Sequence, residues 1–224
     1  MAPAHAAAMQ PPAEAEVGSG VYNAKLGMWI FLGSEVMFFT ALIGSYIILR
    51  FGTTGAWAQP AAVLNVALTA VNTFLLICSS VSMVKAFAAI ADGDQKKLQF
   101  WLLLTVLGGA TFVGIQVFEY LKLAGHGFIP AAYREGSELA HLAATDPVKY
   151  GLETSRLYGS TFYTMTGFHG FHVTCGVVSM IWVYFKARRG GYTQQDYRGV
   201  EVIGLYWHFV DLVWIVLFTI VYLI

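Results

Sequence analysis

The chain has 224 residues, of which 57% are hydrophobic and only 12% charged, and its 13 Lys and Arg balance its 13 Asp and Glu. A soluble domain carries about twice that charged fraction, so the composition excludes a soluble globular protein and points to a polytopic membrane protein. Zero net charge, with no basic run longer than Arg188-Arg189, offers nothing for a nucleic acid to bind.

Met1 to Tyr22 is rich in Ala, Pro and Gly and holds Glu14 and Glu16 but no Lys or Arg. It lacks the basic start and apolar core of a signal peptide and the arginines of a transit peptide. A disordered tail over residues 1–25 is therefore expected. Beyond it, five stretches reach the length of about 20 mostly apolar residues that a spanning helix needs. These are Leu26–Arg50, Ala61–Ile90, Leu98–Leu123, Ser160–Lys186 and Val200–Ile224. The first two connections, Phe51–Pro60 and Ala91–Lys97, are short. The third, Ala124–Gly159, is long and polar, and the fourth, Ala187–Gly199, holds Arg188, Arg189 and Arg198.

Successive spans alternate sides, which sorts the basic residues. Lys25, Lys85, Lys96, Lys97, Lys186, Arg188, Arg189 and Arg198 fall on the side of the N-terminus, eight of the 13. The positive-inside rule then places the N-terminus in the cytoplasm and the C-terminus outside. The predicted fold is an all-α integral membrane bundle of five transmembrane helices over residues 26–224.

Small and polar residues recur at helical spacing along each span. Span 1 carries Glu35 among Met28, Phe31, Phe38 and Phe39. Span 2 carries Asn65, Thr69, Asn72, Ser79 and Met83, and span 3 carries Thr105, Gly108, Phe112, Gln116 and Glu119. The stripe of span 4 is His169, His172, Gly176 and Ser179, and that of span 5 is Glu201, Gly204, His208 and Asp211. Such residues let membrane helices approach closely and hydrogen-bond across the interface, which predicts a compact bundle with its ionisable groups turned inward.

An acid in apolar surroundings with no cation favours its neutral form. Glu35 then reads either as a proton-handling carboxyl or as a structural acid donating one hydrogen bond. Glu119, one turn before Lys122, reads as an interfacial acid paired along its own helix. His169, His172, His208, Asp211 and Glu35 invite a metal or b-haem site, but no HExxH or repeated Glu-x-x-His pattern is present. His169, His172, His208 and Asp211, and Glu119 with them, are therefore expected to be helix-packing polar contacts, with no metal. Lys186, Arg188, Arg189, Arg198 and Glu201, with Trp182 and Tyr184 one turn inward, suit an anionic lipid headgroup. Trp29, Trp57 and Trp101 suit interfacial anchoring. Cys78 and Cys175 lie in apolar segments and form neither a CxxC site nor an expected disulfide.

Four segments carry a resemblance. Tyr206-Trp207-His208-Phe209-Val210-Asp211-Leu212-Val213-Trp214 resembles the last helix of subunit III of haem–copper oxidases. Gly167-Phe168-His169-Gly170-Phe171-His172-Val173 is similar to the motif of that family's preceding helix. Met28-Trp29-Ile30-Phe31-Leu32-Gly33-Ser34-Glu35-Val36-Met37-Phe38-Phe39 is similar to its carboxylate-bearing helix, and Gln116-Val117-Phe118-Glu119-Tyr120 matches a fourth element. The motifs stand in the family's order and cover about Leu26 to Ile224. The first two helices of the seven-helix version have no counterpart, so the resemblance is to the five-helix form found in some bacterial oxidases.

This resemblance implies an accessory subunit of a bacterial inner-membrane respiratory oxidase that carries no redox centre itself, with haem and copper on its partners. It implies direct packing on catalytic subunit I, subunit II and small subunits nearby, bound phospholipid, and support of proton uptake. Glu35 would be the family's reactive intramembrane carboxyl, and Lys186 and Glu201 would fall near its lipid-headgroup region. Cytochrome c is the expected electron donor, with a quinol oxidase as the alternative and a membrane b-haem or metal redox protein as a more distant one.

Overall fold

The computed structural model describes residues 22–130 and 132–224. The tail expected at the N-terminus lies, up to residue 21, outside the described residues. Among the described residues five helices are long and apolar enough to cross a membrane: α1 (Asn23–Gly52), α3 (Val66–Ala91), α4 (Gln95–Gly125), α7 (Ser155–Arg188) and α8 (Arg198–Phe218). The protein is thus an all-α, multi-pass membrane protein. Helix α8 continues into a π turn, Thr219–Leu223. A one-turn helix α2 (Pro60–Val63) precedes α3.

Helix boundaries follow from local chemistry. Asn65 accepts a hydrogen bond from the Leu68 amide at 3.1 Å and so caps the first turn of α3. Between α3 and α4 the chain turns within three residues. Gly93 takes a left-handed φ of 76°, and Asp94 accepts from the amides of Lys96 and Lys97 at 3.1 and 3.0 Å. The Lys97 amide and ammonium hold the Asp94 carboxyl below its usual range, as expected for an N-cap acid.

The long third connection is more ordered than a polar loop. It holds a two-stranded antiparallel pair, β1 (Phe128–Ile129) and β2 (Ala132–Tyr133), then α5 (Glu138–Thr145) and α6 (Pro147–Tyr150). Ser137 and Asp146 cap these two helices from their side chains. Its apolar residues anchor it: Phe128 is fully buried, and the Tyr163 hydroxyl donates to the Phe128 carbonyl at 2.8 Å. Tyr133 donates to the Tyr150 carbonyl at 2.6 Å, and burial pushes its phenol up to about 12.

The chain divides into two compact units. The first takes the described residues to Glu35, Leu75–Thr111 and Val173–Asp211; the second takes Val36–Phe74, Phe112–His172 and Leu212–Ile224. The first unit is built around Trp207, which is fully buried. A β-carbon on Gly109 would lie 2.6 Å from this indole and 2.8 Å from Val177, and one on Gly176 would lie 2.9 Å from the indole. Glycine is what lets these backbones approach the ring. The second unit centres on Trp214, which meets the Phe112 ring edge-on at 5.0 Å and donates to Thr73 Oγ1 at 2.9 Å.

Candidate functional site

The residues that carried chemistry in the sequence do not converge on one centre. Within each unit they form separate polar or aromatic contacts. In the first unit, α3 and α8 are joined at His208, whose Nδ1 lies 2.7 Å from Ser80 Oγ. Asp211, one turn on and buried, interacts with the same hydroxyl and with the His208 ring. From the residue just before His208, Trp207 Nε1 donates to Ser79 Oγ at 3.1 Å. Ser79 in turn donates to the Thr105 carbonyl at 3.1 Å, and Ser82 and Thr105 hydroxyls stand 3.0 Å apart. This ladder runs from α8 through α3 to α4 and satisfies hydroxyls that would otherwise be unpaired in an apolar medium.

In the second unit His169 and His172 part company, although sequence spacing put them on one stripe. His169 is buried, stacked on Trp214 at 4.7 Å and met edge-on by Phe112 at 6.0 Å. Neither of its ring nitrogens has a hydrogen-bond partner. Its packing is aromatic, so the polar contact expected of it is replaced by a stack. His172 is half-buried beside Phe39 at 5.3 Å, and its Nδ1 lies 2.7 Å from the Phe168 carbonyl one turn back. The difference arises because i and i+3 on a helix are separated by about 60° around the axis, enough to place one ring in the core and the other at its edge.

Glu119 makes a helix-to-helix polar contact, and only its expected pairing along its own helix is corrected. It does not pair with Lys122 along the helix. The carboxyl is buried and turned toward α3, where Thr69 Oγ1 donates to it at 2.8 Å. The Lys122 ammonium sits instead over the Phe118 ring at 5.4 Å. An exposed lysine snorkels to the surface along apolar side chains, while an acid with a hydroxyl partner across the helix pair can turn in.

The basic end of the first unit is partly neutralised. Glu201 accepts from Lys25 Nζ at 2.5 Å and from the Tyr22 hydroxyl at 2.9 Å. Burial, then the bond to Glu201, pushes the Tyr22 phenol up. Arg198 Nε donates to Asp196 at 3.0 Å. Lys186 lies over the rings of Tyr192 and Trp182 at 4.6 and 5.8 Å, while Arg188 and Arg189 are exposed. Tyr22 and Lys25 were not singled out from the sequence. Their signal was a basic residue at the start of the first span facing an acid at the start of the last.

Glu35 is half-buried on α1, four residues after Phe31, whose ring lies 6.2 Å from that of Tyr206. Trp57, read as a free interfacial anchor, is wedged edge-on between Tyr46 and Tyr158 at 5.6 and 5.8 Å. Among the described residues no three His, Cys, Asp or Glu side chains are gathered closely enough to hold a metal ion.

Five membrane-length helices joined through buried hydroxyl, imidazole, indole and carboxyl contacts define a multi-pass membrane protein whose polar residues join helix to helix. Comparison with known proteins gives the family. Residues 8–132 and 150–224 match the model of the family described as cytochrome c oxidase subunit III, to which the chain belongs. It is similar to cytochrome c oxidase subunit 3 of Thermostichus vulcanus, 34% identical over 89% of this chain and 86% of that protein. The same-named protein of Synechocystis sp. is 37% identical over 88% of this chain and 74% of its own length. The probable cytochrome c oxidase subunit 3 of Mycobacterium bovis is 35% identical over 89% of this chain and 87% of that protein.

Proposed function

We propose that the chain is the non-catalytic third subunit of a bacterial respiratory haem–copper oxidase that draws its electrons from cytochrome c. In this reading it packs directly on catalytic subunit I, near subunit II and the small subunits, in the inner membrane with its N-terminus cytoplasmic and its C-terminus outside. Haem and copper reside on those partners. The observation that carries the reading is the closure of the signature residues on the chain itself: His208 on Ser80, His169 on Trp214 and Glu119 on Thr69. Side chains that hold helices together suit a subunit that stabilises a complex and leaves electron transfer to others.

Two finer roles belong to the same proposal. The end formed by Lys186, Arg188, Arg189, Arg198 and Glu201 binds anionic phospholipid. With Glu201 neutralised by Lys25, the attraction comes from Lys186, Arg188 and Arg189, each worth about 1 kcal/mol near an anionic surface. Glu35 supports proton uptake to the catalytic subunit, as a carboxyl inside a span marks function by default.

The test is purification of the complex from native membranes by a tag on this chain, followed by mass spectrometry and metal analysis. Subunits I and II are expected to co-purify and to retain all haem and copper when this chain is dissociated. Stoichiometric haem or copper in the separated chain overturns the proposal. For Glu35→Gln, assembly is expected to persist with slowed proton uptake; unchanged uptake removes that role.

A further inference from the structure

The carboxyl of Glu119 is 6% exposed and lies between α4 and α3. Its Oε1 is 2.8 Å from Thr69 Oγ1, and its Oε2 is buried with no hydrogen-bond partner. The same Thr69 hydroxyl lies 3.0 Å from the Asn65 carbonyl. A threonine hydroxyl has one hydrogen to give, so beside an ionised Glu119 it serves one of these two oxygens and not both. The second carboxylate oxygen then carries charge in an apolar medium with nothing to meet it, which is far costlier than an unmet carbonyl oxygen. With a proton on Oε1 both contacts become hydrogen bonds. Glu119 donates to Thr69 Oγ1, Thr69 donates on to the Asn65 carbonyl, and Oε2 becomes the carbonyl oxygen of a neutral acid.

The cations of the same helix are turned elsewhere. Lys122 is exposed and lies over the Phe118 ring at 5.4 Å, and His126 is exposed at the helix end. The other titratable groups close to the carboxyl are two phenols, Tyr120 on α4 itself and Tyr222 on the π turn that follows α8. Tyr222 lines a cavity of about 530 Å³ whose wall also includes Lys122 and His126, and its hydroxyl interacts with the Thr69 side chain. A water takes up about 30 Å³ in the liquid, so the cavity has room for several. Tyr222, Thr69 and Glu119 thus line up hydroxyl, hydroxyl and carboxyl from the cavity wall to an acid whose Oε2 is closed off. Single π turns recur at functional sites in helices, and this one carries Tyr222.

We propose that Glu119 is a proton-binding site, loaded and emptied from this cavity through the hydroxyls of Tyr222 and Thr69. On loading, a hydronium in the cavity gives a proton to Tyr222 Oη, Tyr222 passes its own to Thr69 Oγ1, and Thr69 passes its own to Glu119 Oε1. Each hydroxyl gives one proton and receives one, so the hydronium becomes water, the carboxylate becomes an acid and no other group changes. In the orientation proposed above this end of α4 is the outer one, so the proton is exchanged with the outer side. The inference needs the helices to span a membrane and does not depend on the subunit's place in an oxidase.

The experiment records infrared spectra of the intact complex, purified by a tag on this chain, at neutral pH and during transfer to deuterium oxide. Subtracting Glu119→Gln from the parent is expected to isolate the carbonyl stretch of a protonated carboxylic acid, which shifts on deuteration. A difference spectrum that shows carboxylate stretches in its place overturns the site. Tyr222→Phe and Thr69→Val are each expected to slow the deuterium shift by about 100-fold, the low end of what a positioned proton carrier contributes. Thr69→Ser returns the hydroxyl and is expected to exchange at the parent rate. An unchanged rate in Tyr222→Phe or Thr69→Val overturns the relay, as does a Thr69→Ser rate as slow as that of Thr69→Val. Should Thr69→Val not assemble, Tyr222→Phe, which keeps the ring, decides the relay.

Discussion

Replacing Gly109 with alanine isolates the close approach of α4 to the Trp207 indole. The new β-carbon would lie 2.6 Å from Cη2 of Trp207 and 2.8 Å from Cγ2 of Val177. Ordinary contacts begin near 3.5 Å, so close to an ångström of movement is required of a fully buried ring and a neighbouring helix. Overpacking of this kind costs about 1–3 kcal/mol, and a mid-helix glycine-to-alanine change returns up to about 1 kcal/mol of helix propensity. The net expectation is a loss of about 1–2 kcal/mol. Gly114→Ala, on the same helix with nothing within 4 Å of the added carbon, serves as the control and is expected to be neutral or stabilising. Trp207→Phe removes the offending ring atoms, so Gly109→Ala placed on that background is expected to cost little, a positive coupling in a double-mutant cycle. The assay is thermal or detergent-induced dissociation of the chain from its purified complex. Equal stability of Gly109→Ala and Gly114→Ala refutes the argument, as does strict additivity of the cycle.

Three further outcomes are expected. His169→Phe keeps the stack on Trp214 and removes two unpartnered buried nitrogens, so it is expected within about 1 kcal/mol of the parent, against a loss of about 3–5 kcal/mol for His169→Ala; intrinsic tryptophan fluorescence and thermal melts distinguish them. Thr69→Val preserves shape but withdraws the donor to Glu119, and a loss of about 1–3 kcal/mol is expected, much smaller on the background of Glu119→Leu, which removes the acceptor. The Asp94 cap is depressed below an ordinary aspartate value of 3.8, so its contribution is present above that pH and lost as the pH falls through the still lower folded value; amide hydrogen exchange at Lys96 and Lys97 should stay slow at neutral pH and quicken only below it, and quickening near pH 5 contradicts the assignment.

The spans, their polar stripes and the family motifs were legible because lipid leaves a helix few ways to satisfy its backbone, and length and periodicity then report directly on the span. Which member of a stripe faces which neighbour was not. His169 and His172 share a sequence motif, yet a rotation of about 60° separates a stacked core ring from a half-exposed one. Glu119 and Lys122 have the spacing of a surface ion pair, but Thr69, 50 residues away, supplies the partner. The Tyr22–Lys25–Glu201 cluster joins residues up to 179 positions apart, beyond any local pattern. The ordered third connection depends on Phe128 finding Tyr158 and Phe162, a tertiary event that a polar composition conceals.

The fastening of α1 has a consequence for biogenesis. Along its length only Phe39 and Tyr46 are buried, and each end is tied to the last helix segment, Lys25 to Glu201 and Arg50 to the Ile224 carbonyl. These two ties of α1 therefore wait for the synthesis of α8. At ordinary synthesis rates the 176-residue separation corresponds to roughly 9–35 s, during which α1 resides in the bilayer with its basic ends uncommitted. Until α8 is made, α1 is held on its own chain by ring contacts alone, Phe38 against Phe168 at 5.1 Å, Phe39 against His172 at 5.3 Å and Tyr46 against Trp57 at 5.6 Å.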